Sequence, residues 1–69
     1  MKGFEVFYEY GPHQGDSVYV IASDHAAARD LVKNMILEDY GDYLWSRIGY
    51  RNMTIHDCDL IPANKLVIF

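Results

Sequence analysis

Cysteine is almost missing from this 69-residue sequence, where Cys58 stands alone. One thiol builds no internal disulfide framework, so the fold has to rest on packing, and the usage fits a reducing compartment. Bases are scarce as well: six Lys and Arg face ten Asp and Glu, for a formal net charge of −4. Proteins that grip a phosphate backbone normally carry a Lys/Arg surplus, so direct nucleic-acid binding is disfavoured. No apolar run approaches the roughly eighteen residues that a membrane span needs. The opening Met1-Lys2-Gly3-Phe4-Glu5 reaches an acid at once, without the apolar block of a signal peptide. These absences point to the cytoplasm, with no membrane partner.

What is present is apolar and aromatic. At 51% hydrophobic and 14% aromatic residues, the chain is too apolar to stay disordered and is sized for one small domain, residues 1–69. The segment from Phe4 to Tyr10 is dense in aromatic and β-branched residues and reads as a strand with Phe4, Val6, Tyr8 and Tyr10 on one face and Glu5, Phe7 and Glu9 on the other. Two glycines and a proline within residues 11–16 mark a hairpin loop. A second strand over residues 17–22 places Val18, Val20 and Ala22 opposite Ser17, Tyr19 and Ile21. Ser23 or Asp24 offers a helix cap, and Ala27, Ala28, Leu31, Val32, Met35 and Ile36 form an apolar stripe at helical spacing, predicting a helix near 24–40 that Gly41 ends. Asp42 to Gly49 suits a separate short helical turn, capped by Asp42 and stopped by Gly49, with an aromatic-rich loop as the alternative. A third strand is expected over residues 50–60, with a bulge near His56-Asp57 to bring Met53, Ile55, Cys58 and Leu60 to one face, and a final strand over 66–69. The fold class is α+β, a single β-β-α-β-β domain with an antiparallel-rich sheet and one helix on one face.

One helix covers one side of a sheet. The side with Phe4, Val6, Val18 and Val20 should meet Ala28, Leu31 and Met35, leaving Glu5, Phe7, Glu9, Tyr19 and Ile21 open, with Asp57 and Asp59 turned outward by the bulge. Aromatic anchors ringed by acids are the make-up of an interface with a basic partner. A second candidate surface is Glu38, Asp39 and Asp42, interleaved with Tyr40, Tyr43 and Trp45. Its competing reading is that the rings close the core and the acids are merely solvated.

Catalytic and metal signatures are weak. His56 and Cys58 project the same way along a strand, but a zinc site needs His13 and His25 to converge on them, and two flanking aspartates oppose a reactive thiolate. No cofactor, metal ligand set or catalytic residue is therefore assigned. The Gly11–Gly15 loop lacks the lysine of a phosphate loop. Phe7, Tyr8 and Tyr19 would suit RNA stacking if Glu5 and Glu9 did not flank them.

In layout, the aromatic hairpin over residues 4–22, the helix start Ser23-Asp24-His25-Ala26-Ala27-Ala28 and the return strand over 50–60 resemble the small proteins of phages and mobile elements, anti-CRISPR proteins among them. The resemblance is architectural and carries no motif. It implies a non-enzymatic stoichiometric inhibitor that places acids where a host nucleoprotein complex holds phosphates, in the host cytoplasm if phage-encoded. The expected partner is thus a protein with a basic surface. The competing expectation is a structural or regulatory homodimer using the open sheet face or the final strand.

Overall fold

The computed structural model covers residues 1–69 and shows an α+β fold with a four-stranded mixed sheet. Two long strands, β1 (Lys2–Gly11) and β2 (Gln14–Ala22), form an antiparallel hairpin. Pairing runs nearly to the tip, so the loop is tighter than the glycines suggest: Pro12 and His13 alone make the turn, with His13 at φ 57°. The register shifts once, between Glu9 and Gly11.

Helix α1 (His25–Asp39) follows at its expected place. The Asp24 carboxylate accepts a hydrogen bond from the Ala27 amide at 2.8 Å, which satisfies one of the orphan donors of the first turn. The chain leaves the helix through Gly41 at φ 90°, a backbone angle that a side chain would resist. A second helix, α2 (Asp42–Ile48), then turns back, and a single 3-10 turn at Tyr50–Asn52 leads into β3 (Met53–Asp57). Residues 42–48 are thus a true helix that Gly49 ends, and two helices rather than one accompany the sheet. The last strand, β4, is only Val67–Ile68.

The sheet order is β3-β1-β2-β4, with β3 antiparallel to β1 and β4 parallel to β2. All nine buried residues lie on the helix side: Phe4, Val6, Tyr8, Val20 and Ala22 from the strands, Ala28, Val32 and Ile36 from α1, and Ile48 from α2. The pairing of β3 differs from the expected one in a way that moves a candidate residue. Tyr8, Val6 and Phe4 face Met53, Ile55 and Asp57 without any bulge. Strand period then puts Asp57 on the helix side and His56 on the open side. There the Asp57 carboxylate lies 3.0 Å from His25 Nε2, so it is not part of the open face. Pairing with β1, not the local alternation of residues 53–60, sets this register.

Because β3 and β4 occupy opposite edges, residues 58–66 must cross the sheet. They do so over the open side. The Cys58 amide donates to the Gly3 carbonyl at 2.9 Å, and a Cβ on Gly3 would meet the Cys58 carbonyl oxygen at 2.5 Å and the Ile61 side chain at 3.1 Å. The crossing therefore roofs one end of a face that the sequence suggests is fully open.

Candidate acidic binding face

On the open side the register stacks residues in rows across the sheet. Cys58, Gly3 and Ile21 form the roofed row. Next come His56, Glu5, Tyr19 and Val67, and after them Thr54, Phe7 and Ser17. Beyond these, Glu9 stands opposite Gly15 with no β3 neighbour. Phe7 is 41% exposed at the centre of the uncovered rows. Its ring meets His56 edge-on, with centroids 5.6 Å apart and an interplanar angle of 83°. A shallow groove of about 510 Å³ continues from Phe7 and Glu9 to Gln14 and Ser17 near the hairpin tip.

The charge arrangement around this face is uneven. Of the ten carboxylates, only Asp57 has a base within 4.0 Å. Three of the six Lys and Arg are engaged elsewhere, with aromatic rings. The Arg29 guanidinium stands 4.5 Å from the Tyr50 ring centre, Lys33 Nζ lies 5.4 Å from Trp45 and 5.5 Å from Tyr50, and Arg47 lies 5.8 Å from Tyr43. Arg29 and Lys33 are consequently half-buried beneath α2 and the 3-10 turn, not spread on a solvated helix face. Arg29 Nε is buried without a hydrogen-bond partner, and Tyr50 donates its hydroxyl to Asp30 at 3.3 Å. Glu5 and Glu9 keep uncompensated charge beside Phe7. Partial burial and the neighbouring Glu5 carboxylate both push the Tyr19 hydroxyl above its ordinary pKa.

The structure brings together some of the residues that the sequence suggests and scatters others. Glu5, Phe7, Glu9, Tyr19 and Ile21 do share one face, although Ile21 lies at its roofed end. Glu38, Asp39, Asp42 and Tyr43 stand exposed at the corner between α1 and α2, on the opposite layer. Trp45 is half-buried against the core and edge-on to Tyr50, with centroids 5.1 Å apart. Asp59 lies exposed in the crossing segment. Ser17, Thr54 and His56 complete the surroundings of Phe7. Alternation in the sequence already sets Ser17 beside Tyr19 and Ile21, whereas Thr54 and His56 reach this face only through the register of β3 against β1.

His56 and Cys58 follow one another on the open side, while His25 is on the helix side and His13 at the hairpin tip. No three His, Cys, Asp or Glu side chains converge where a metal ion would be held. Cys58 Sγ instead contacts the Leu60 carbonyl at 3.4 Å. No helix is long and apolar enough to cross a membrane. No protein-family model, curated protein or solved structure matches the chain.

Proposed function

We propose that this chain is a non-enzymatic protein-binding module whose open sheet face docks on a basic surface, acting as an acidic stoichiometric inhibitor of a nucleic-acid-handling complex. The observation that carries this reading is the pairing of an exposed ring with unneutralised acids: Phe7 is 41% exposed between Glu5 and Glu9, neither of which has a base within 4.0 Å. An aromatic group at the centre supplies the desolvated anchor, and the carboxylates steer and orient a Lys/Arg-rich partner as phosphates would. The reading implies the cytoplasm, where such complexes work.

The test is capture from bacterial lysate with wild type and the Glu5→Lys/Glu9→Lys double variant, washed at low and high salt. The expected result is a stoichiometric partner that normally binds DNA or RNA, is displaced by nucleic acid, weakens with salt and is lost in the double variant. Undiminished capture by a folded double variant contradicts the proposal. A homodimer is the second reading, favoured by one observation: β4 pairs only with Tyr19 and Val20 and residues 64–66 lie beside Ser17 and Val18, leaving the β2 edge over Gln14–Asp16 without a neighbouring strand. Light scattering across a dilution series separates the two, since a monomer at every concentration removes the dimer.

A further inference from the structure

The hairpin carries a second concave site on its other side. Between the hairpin and the corner of α1 and α2 lies a cavity of about 260 Å³, lined by Tyr8, Tyr10, Asp16, Tyr40 and Leu44. This volume falls below the range typical for drug-sized ligands and suits a single side-chain head or a small ion. Three tyrosine rings come from two elements to line it: Tyr8 and Tyr10 on β1, with centroids 6.5 Å apart and inclined at 41°, and Tyr40 at the end of α1. Tyr8, only 4% exposed, lines the cavity. The one charged residue lining the cavity is Asp16, and Arg47, which also borders Tyr10, stands in a separate depression with Glu9, Pro12 and Asn52.

We infer that this pocket is an aromatic cage for an alkylammonium cation, with Tyr8, Tyr10 and Tyr40 as its walls and Asp16 as the counter-charge at its rim. The faces of aromatic rings carry negative potential, and a desolvated cage of several rings with one acid is how proteins hold quaternary and alkylated ammonium groups. Independent support comes from Tyr8 itself. Burial, then the charge of Asp16, and more weakly that of Asp39, push its hydroxyl up to about 12. Burial penalises charge of either sign, but the Asp16 and Asp39 carboxylates that oppose a negative charge on Tyr8 favour a positive one in front of it. Tyr10, Tyr40 and Leu44 line this cavity and not the groove beside Phe7, which shares Tyr8 and Asp16 with it, so the inference does not rest on the role proposed for the open face. Two sources fit the chemistry: a free quaternary ammonium compound, and a lysine side chain of another protein with or without methylation.

Titration of the full chain, followed by amide and aromatic NMR, tests the inference. The probes are choline, its neutral carbon isostere 3,3-dimethylbutan-1-ol, and the Nα-acetyl amides of lysine and trimethyllysine. The expected result is saturable shifts at Tyr8, Tyr10, Asp16 and Tyr40 with at least one cationic probe and none with the neutral isostere. Asp16→Asn and Tyr40→Ala should each weaken binding by roughly five-fold. Tighter binding of a lysine derivative than of choline assigns the cage to a protein partner, and the reverse order to a free cation. Equal shifts from the neutral isostere, no saturation with any cation, or undiminished binding in both folded variants overturns the inference.

Discussion

The two faces of this sheet are covered in different ways. On one side α1 and α2 bury nine residues; on the other an irregular segment, residues 58–66, crosses at the Gly3 end, comes down beside Ser17–Tyr19 and buries none. A helix satisfies its own backbone hydrogen bonds and presents a continuous apolar stripe, so it seals the strands beneath it. An irregular crossing has no such stripe. It covers Gly3 and leaves the rows of Phe7 and Glu9 bare. Stability therefore belongs to one side of the sheet, and the other is free to carry charge and an exposed ring.

That asymmetry is broken most directly by truncating a residue on each side. Ile36→Ala, which opens a cavity against a fully buried site, is expected to cost roughly 2–5 kcal/mol in urea unfolding. Ile21→Ala on the roofed end should cost about 1 kcal/mol, because its side chain is only half-buried. Equal losses at the two positions contradict a one-sided core.

The roof itself is tested at Gly3. Gly3→Val forces a side chain against the Cys58 carbonyl, which is backbone and cannot swing away. An expected cost of roughly 1–3 kcal/mol should come with faster hydrogen exchange at the Cys58 amide, while the amides of α1 stay protected. Smaller again is the cap: Asp24→Ala should cost about 1 kcal/mol of thermal or urea stability.

On the helix side the alkaline limb reports on Tyr8. Tyr8 has its folded-state pKa near 12, above the ordinary 10.0, so the folded state keeps a proton that the unfolded chain releases. Its contribution is fully present below pH 10 and is lost as pH rises towards 12. Tyrosinate absorbance should show a late step that Tyr8→Phe abolishes. The smallest effect is expected at the exposed His25–Asp57 pair, where both side chains are more than 60% exposed: Asp57→Asn should change stability by about 0–1 kcal/mol, and less at high salt.

Much of the helix side is legible in the sequence because its signals are local. The Asp24 cap, the stripe from Ala28 to Ile36 and Gly41 bracket α1 within a residue or so, and the alternation in Phe4–Tyr10 assigns the buried face of β1. The α+β class follows from those elements. The placement of Asp57 does not, because the faces of β3 depend on its register against β1, some fifty residues earlier in the chain. A local bulge is the wrong remedy for the changed alternation after Ile55; the strand simply ends at Asp57 and the chain begins its crossing. β4, two residues long and parallel to β2, is too short for any period to show. The acidic face is half legible for the same reason. Glu5, Phe7, Glu9 and Tyr19 are set by alternation within the hairpin, whereas the roof over Ile21 and the contact of His56 with Phe7 arise only from tertiary pairing. The tyrosine cage joins β1 to the end of α1, and nothing in either segment alone marks it.

Hydrogen exchange of the free protein and of its complex with the captured partner tests the central claim most directly. New protection is predicted at Glu5, Phe7, Glu9, Ser17, Thr54 and His56, with α1 unchanged between the two states. Protection confined to α1, or no partner retained even at low salt, would contradict the assignment of the uncovered sheet face as the binding surface.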